Sequence, residues 1–178
     1  MGNTGINNQI KDKVLNMLKD NYVYVKDMLL FAEAKHAALI AFNTVFLTQV
    51  TESERSILQY SLIFVILLSL IISLISFLPQ LKKRTIQSYL GIENNLVYFN
   101  DISKYDAQNY LKAIYKKYFN KDNIYFFDNQ LIDLADEIVT NSSILIRKYR
   151  FFKVSCILDL GAIIVVILVY LINLVELI

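Results

Sequence analysis

The stretch Ile57–Leu78, ILQYSLIFVILLSLIISLISFL, decides the fold class of this chain of 178 residues. It contains no charged side chain, and an α-helix needs roughly 20 apolar residues to cross the hydrocarbon core of a bilayer. Pro79 and the basic run Lys82–Arg84 follow it at once, as a helix stop and a cytoplasmic anchor would. A buried helix of a soluble protein is the alternative, but an apolar run of this length predicts a spanning helix.

Two further apolar segments flank this one. Val154–Val175 contains a single charge, Asp159. Ala37–Val50 is short enough to be buried or interfacial, but only the loop 51–56 joins it to the next span. If Ile57 starts inside lipid, the chain has already crossed the bilayer to reach that loop. We therefore predict an all-α integral membrane protein with three spans: a hairpin over 37–78 (37–50 and 57–78) and a third helix over 154–175.

Composition and charge agree with this class. Apolar residues make up 56% of the chain and charged residues only 19%, and the net charge of +2 is too small to indicate binding of a nucleic-acid polymer. The loop 51–56 has one Arg and two Glu, whereas residues 1–36 have five Lys and residues 79–153 have twelve Lys or Arg. The positive-inside rule thus predicts a multi-pass protein with its N-terminus and its 79–153 insert in the cytosol.

The cytosolic parts are predicted to be mostly helical. Residues 1–36 form an amphipathic helix that enters the membrane without a break, and the segment from Leu131 onward does the same. Asn21 interrupts the apolar stripe of the first helix, either to set register or oligomer number or because that helix packs on its own cytosolic domain. The insert 79–153, a sensor or interaction module, has its best strand signal at Asn94–Asp101. A capped helix follows from Ser103, with an apolar side of Tyr105, Tyr110, Leu111, Ile114, Tyr115 and Tyr118.

Catalytic and metal-binding patterns are absent from the sequence. It has no glycine-rich phosphate loop, one histidine (His36) and one cysteine (Cys156), which exclude an intrachain disulfide and most Cys/His or Ser/His catalytic arrangements. The acidic residues near 133–137 are interpreted as a solvated face. We expect neither enzymatic activity nor a resident cofactor or metal.

The insert does carry residue types that suit a small nucleotide. Aromatic rings stack on a base, amides bind its edge, and arginine binds phosphate through two parallel hydrogen bonds. The candidate ligand-binding residues are Asn95, Tyr98, Phe99, Asp101, Asn141, Ser142, Arg147 and Lys148. In the alternative interpretation the aromatic rings form the core of a small domain and the cations bind lipid headgroups.

A second set of candidates lies at the membrane junction and inside the spans. Glu33, Lys35 and His36 directly precede the first span, where Lys35 can extend its ammonium group to the headgroups. His36 is interpreted as facing lipid or another helix, with titration as the alternative. Asn43 and Asp159 lie within spans, and polar residues there favour a multi-helix assembly, so a homo-oligomer is expected.

Three stretches together resemble a known family, the transmembrane effectors of Pycsar antiphage systems. They are FAEAKHAALIAFN (31–43), NLVYFNDISKYDAQNYLKAIY (95–115) and DLADEIVTNSSILIRKYRFF (133–152). Their order also fits, with a hairpin of crossings before the middle stretch and one crossing after the last. His36 stands where the family pattern has an amide or another polar residue. The pattern adds Tyr149 and matches these members of the two candidate sets: Glu33, Lys35, Asn43, Asn95, Phe99, Asp101, Asn141, Ser142, Arg147 and Lys148.

The resemblance implies an activity that composition does not. Such effectors respond to a cyclic nucleotide made by a partner cyclase after phage infection, compromise the bacterial inner membrane, and stop growth or kill the host cell. From the residues alone, two other functions stay open. One is a constitutive membrane anchor that recruits a soluble partner through the insert, and the other is a nucleotide-independent channel.

Overall fold

The computed structural model describes residues 2–52, 56–78, 95–121 and 128–176, without the side chains of residues 2–7, 174 and 176. Within these ranges the helices are α1 (Gly2–Thr51), α2 (Ile57–Ile75), α3 (Phe99–Ile102), α4 (Ala107–Phe119) and α5 (Asn129–Glu176), and no residue is in a strand. The all-α prediction is therefore confirmed. Several residues named above, among them Pro79, Lys82–Arg84 and Asn94, lie outside the described residues.

Among the described residues, helices α1, α2 and α5 are each long and apolar enough to cross a membrane, which confirms the prediction of three transmembrane helices. Helix α1 runs without a break through the predicted junction at residue 36, and α5 does so through residue 153. Helix α2 starts where Ser56 caps it, its Oγ accepting from the backbone N–H of Gln59 at 3.2 Å. It ends at Ile75, slightly before the predicted end of the span.

The chain forms two compact units: residues 1–31 with 80–146, here called unit 1, and residues 32–79 with 147–178, here called unit 2. The predicted domain boundaries at residues 36, 78 and 153 are a different division and stay a prediction. In unit 1 the first helix buries Val14, Leu18 and Val25, which recur at alternating spacings of three and four residues with Asn21 among them. Unit 1 also contains buried residues of α4 (Tyr110, Leu111, Ile114) and α5 (Leu131, Ala135, Ile138).

Asn21, the polar residue within the apolar stripe of α1, bonds to other residues of unit 1. It is 3% exposed, and its side-chain Nδ2 donates to the carbonyl of Leu96 at 3.2 Å and to the Tyr110 hydroxyl at 2.9 Å. The Tyr110 hydroxyl in turn donates to the Leu96 carbonyl at 2.8 Å. Since buried polar groups need partners, this triangle fixes α1 against α4 and the turn at Leu96. The amphipathic helix thus packs on its own unit.

The strand signal at Asn94–Asp101 was wrong over residues 95–101, which form a turn and the short helix α3. The Asn95 Oδ1 accepts from the backbone N–H of Val97 at 3.1 Å, and the Asp101 Oδ2 accepts from the backbone N–H of Asn95 at 3.1 Å. Two side chains that bond their own backbone favour a turn over an extended ladder.

The next helix also begins later than its sequence pattern indicated. Asp106 is its N-cap, accepting from the backbone N–H of Asn109 at 2.9 Å, so α4 starts at Ala107 and Tyr105 lies before it. Tyr105 is nevertheless fully buried, whereas Tyr118, which was placed on the apolar side, is 45% exposed.

Unit 2 has the polarity expected of a membrane bundle. Large apolar side chains cover its outside, including Val45, Phe64, Ile71 and Ile164, each at least half exposed. Its buried positions include a series of polar side chains. Lipid offers no hydrogen bonds, so polar side chains of spanning helices face inward and bond one another.

Candidate functional site

The polar side chains inside unit 2 form one continuous series, which we call the polar seam. Its members come from all three long helices, and each is less than 10% exposed: His36, Asn43, Ser69, Ser73, Ser76, Lys148, Ser155 and Asp159. Helical spacing explains their alignment, because His36 and Asn43 are seven residues apart, Ser69, Ser73 and Ser76 are four and three apart, and Ser155 and Asp159 are four apart.

One end of the seam lies at the predicted membrane junction. The Lys148 ammonium donates to Glu33 Oε1 at 3.0 Å and to the Ser76 carbonyl at 3.3 Å, and it lies 5.4 Å from the centroid of the Phe77 ring. The Lys148 side chain is 10% exposed and that of Glu33 45%. Lys148 is thus a largely desolvated cation, whereas its carboxylate partner still reaches the surface.

His36 lies beside this ion pair and is 1% exposed. Its Nε2 is 3.0 Å from the Lys148 carbonyl oxygen and 2.9 Å from Ser76 Oγ. A carbonyl only accepts, so Nε2 carries the proton in this contact. The edges of Phe77 and Phe152 pack on the ring, and Nδ1 has no hydrogen-bonding partner among the described residues. The interpretation of His36 as helix-facing agrees with this position.

Lys35 is placed differently from its neighbour. Its ammonium lies 5.2 Å from the centroid of the Tyr149 ring and 5.7 Å from that of Phe152. Cation–π contacts of this kind stabilise a cation where water is scarce. Tyr149, which the family resemblance added to the candidates, therefore contacts the junction through Lys35.

Deeper in the bundle the seam continues through hydroxyl groups. Ser73 Oγ donates to Ser155 Oγ at 3.1 Å, and Ser155 Oγ donates to the backbone carbonyl of Ser69 at 3.2 Å. These bonds join α2 to α5. Small side chains with hydroxyls allow such close approach of helices in membranes.

The inner end of the seam contains Asn43 and Asp159, which the structure brings together. The Asn43 amide nitrogen donates to the Asp159 carboxylate (3.0 Å to Oδ1 and 3.3 Å to Oδ2), and its oxygen accepts from Ser69 Oγ at 3.0 Å. The opposite amide orientation would set its oxygen against the carboxylate. Asp159 is 3% exposed, so it lies in the bundle interior.

Beyond these residues the core becomes apolar. Val50, Leu62, Ile66 and Ala162, which we call the apolar plug, are buried together, with Phe46 and Val165 among the side chains packed around them. At the far side of the plug, Gln59 Nε2 donates to the Val50 carbonyl at 2.9 Å and closes the end of α1.

The predicted ligand-binding residues of unit 1 have local contacts of their own. Tyr98 is 43% exposed, and its ring centroid lies 4.7 Å from that of the nearly buried Phe99. Asp101 accepts from the Lys104 ammonium at 2.6 Å as well as from the Asn95 N–H, and the hydrogen bond from Lys104 lowers the pKa of its carboxyl group. Asn95 and Asp101 therefore have a structural role in closing the turn.

The other predicted ligand-binding residues lie on α5. Asn141 is partly buried, and Ser142 is fully buried with no hydrogen-bonding partner for its Oγ among the described residues. Arg147 and Lys148 belong to unit 2. The Arg147 guanidinium lies 5.1 Å from the centroid of the Phe151 ring, and Lys148 is bonded as described above.

Sequence reasoning missed the serines of the seam and the plug below them. Asn43 and Asp159 stand out as polar residues in apolar segments, whereas single serines are common in spanning helices. The spacing of Ser69, Ser73 and Ser76 on α2 was the available signal, since it puts all three on one face.

The comparisons with known proteins agree with the resemblance stated from the sequence. A family model described as the Pycsar effector protein domain matches residues 17–174, well over half of the chain. No curated protein and no solved structure matches the chain significantly.

Proposed function

The chain belongs to the Pycsar effector family, which acts in antiphage defence, and we propose that a cyclic nucleotide activates it to impair the bacterial inner membrane. The nucleotide comes from a partner cyclase, and the outcome is growth arrest or death of the infected cell. The proposal includes a cytosolic N-terminus and insert, assembly of several copies, and no enzymatic activity or resident cofactor.

One structural observation carries this proposal: α1 and α5 are each a single unbroken helix that belongs to both compact units. A shift or rotation of such a helix in unit 1 displaces the seam residues that the same helix contributes to unit 2. The nucleotide must bind the active arrangement better than the resting one, by about 10⁴-fold to change the ratio of resting to active protein from 99:1 to 1:99.

Unit 1 offers groups that suit the base of a nucleotide. The exposed Tyr98 ring is a stacking surface, the Asn141 side chain offers both a donor and an acceptor, and the Ser142 hydroxyl is buried without a partner among the described residues. Arg147 belongs to unit 2 and is proposed separately, from its residue type, as a phosphate partner, since a planar guanidinium binds phosphate through paired hydrogen bonds.

A ligand screen on the detergent-purified full chain tests the activation step. We expect one cyclic mononucleotide or cyclic oligonucleotide to bind in calorimetry, and the same compound to depolarise cells when its cyclase is co-expressed. Absence of binding and of depolarisation with every cyclic nucleotide tried would refute activation. A co-purifying soluble protein in that case would instead indicate the anchor function.

Arg147→Ala tests the assigned phosphate partner, with Arg150→Ala as a control that removes a neighbouring cation. We expect Arg147→Ala to weaken nucleotide binding at least tenfold while membrane insertion stays normal, and Arg150→Ala to bind as the unaltered protein does. An unchanged dose response in Arg147→Ala would remove Arg147 from the site.

A further inference from the structure

The polar seam and the apolar plug occupy successive levels of the same three-helix core. The contacts place His36, Ser76 and Lys148 at one level, Ser73 and Ser155 at the next, and Asn43, Ser69 and Asp159 at a third, followed by the plug. Lys148 and Asp159 are 11 positions apart, which corresponds to roughly 16 Å along α5. The seam therefore reaches about half of the way across a hydrocarbon core of roughly 30 Å.

The seam and the plug follow one another in the order that an ion path closed by an apolar constriction requires. The seam begins at the junction that we predict to face the cytosol, where the carboxylate of Glu33, the partner of the buried Lys148, reaches the surface of the unit. It ends where Val50, Leu62, Ile66 and Ala162 exclude polar groups from the core. Hydrophobic constrictions close ion paths because water leaves them, and they conduct once they are wetted.

We propose that the polar seam is the closed half of a cation-conducting path and that the apolar plug is its gate. The inference rests on the proposed function, because it names the way in which the activated protein impairs the membrane. On activation the seam hydroxyls and the Asn43 amide exchange their hydrogen bonds to one another for bonds to water, and the plug residues separate.

The charge along the path determines which ions pass. The seam has two charged members: Lys148 at its outer end, where the ammonium is paired with the Glu33 carboxylate, and Asp159, whose carboxylate lies at the level next to the plug. A carboxylate at a constriction attracts cations and repels anions. The hydroxyl oxygens and the amide oxygen of the seam replace the hydration of a small cation, so the permeant species are monovalent cations, including H⁺.

The gate can be tested without nucleotide by adding a hydroxyl to the plug. Ile66→Ser puts a hydroxyl at a fully buried plug position, and Leu67→Ser makes the same change at the adjacent residue, which is 40% exposed on the outside. A milder pair is Ala162→Ser in the plug and Gly161→Ser, where an added Cβ has no atom within 4 Å. Each full-length variant is reconstituted into liposomes after its helix content is checked by circular dichroism.

We expect liposomes with Ile66→Ser or Ala162→Ser to leak K⁺ or H⁺ at least tenfold faster than those with the unaltered protein, and to retain Cl⁻. The control variants should leave both fluxes unchanged. Adding Asp159→Asn to a leaking variant should reduce the preference for cations over Cl⁻ at least tenfold. If Ile66→Ser proves unfolded, the Ala162→Ser pair gives the answer.

Three results would overturn the inference: folded plug variants that leak no more than their controls, a leak that passes Cl⁻ as well as K⁺, or a preference for cations that Asp159→Asn leaves unchanged. Its failure is distinct from failure of the proposed function. If nucleotide depolarises cells that contain the unaltered protein but the plug variants do not leak, only the proposed path is rejected. If the plug variants leak but no nucleotide produces a response, only the proposed activation is rejected.

Discussion

The ion pair Glu33–Lys148 allows a prediction in which the two partners respond unequally to removal. Glu33→Ala leaves the ammonium of Lys148, 10% exposed, with the Ser76 carbonyl and the Phe77 ring as its contacts among the described residues. A buried donor that loses a charged partner costs about 1–3 kcal/mol. Because two contacts remain, we expect the loss of stability to be about 1–2 kcal/mol.

Lys148→Met changes the same pair in the opposite way. It leaves the Glu33 carboxylate, which is 45% exposed and returns to water, and the methionine keeps the packing against Phe77. It also removes the long hydrogen bond to the Ser76 carbonyl. Exposed ion pairs contribute roughly 0.2–1 kcal/mol, so this variant should lose about 1 kcal/mol at most. The double variant should resemble Lys148→Met, since no buried charge remains.

Both variants can be measured by thermal unfolding in detergent. A dye that reacts with thiols reports the exposure of Cys156, the partly buried cysteine that the chain already contains. One kcal/mol shifts Tm by about 2–4 °C for a chain of this size, so Glu33→Ala should lower Tm by about 2–8 °C and Lys148→Met by less. A larger decrease in Tm for Lys148→Met than for Glu33→Ala would refute the unequal burial of the two partners.

Three further predictions concern unit 1. Tyr110→Phe removes the hydroxyl that bonds to the Leu96 carbonyl and should lower the free energy of unfolding by about 1–2 kcal/mol. The control Tyr118→Phe, at an exposed ring, should leave it almost unchanged. Equal losses in the two variants would contradict the buried hydrogen-bond triangle of Asn21, Leu96 and Tyr110. Asp106→Ala removes the N-cap of α4 and should cost about 1 kcal/mol, and amide exchange in the first turn of α4 that stays as slow as before would refute the cap. Burial raises the pKa of the Tyr110 phenol, so the folded state holds this proton more tightly than the unfolded state. The contribution of this shift to the free energy of unfolding is fully present below about pH 10 and is lost as pH rises above that value. Tyr110→Phe should therefore lose less stability between pH 9 and pH 11 than the unaltered protein. The same pH profile in both proteins would contradict this.

The candidate ligand-binding residues of unit 1 differ in how much they contribute to folding. The described contacts give Asp101 and Asn95 a role in the turn before α3, so loss of activity on their substitution needs a stability measurement beside it. Tyr98, by contrast, is exposed and its removal should leave folding intact. A loss of nucleotide response in Tyr98→Ala would therefore indicate direct contact with the ligand.

Several features of this protein followed from the sequence alone. The uncharged run Ile57–Leu78 determined that the protein is membrane-spanning, because its length matches the hydrocarbon core. The absence of any helix breaker between Phe31 and Asn43 predicted the continuous helix α1, and three short stretches identified the family. These features depend on local composition and on order along the chain, which a sequence contains in full.

The tertiary structure decided which polar residues meet. Asn43, Ser69 and Asp159 come from three different helices, and hydropathy does not determine the rotation of one helix against another. The same holds for the buried Tyr110 and the exposed Tyr118, which one helical pattern placed on a single side. Rotation and register depend on packing between helices that are distant in the chain, so only the folded structure showed that the core changes from a polar seam to an apolar plug.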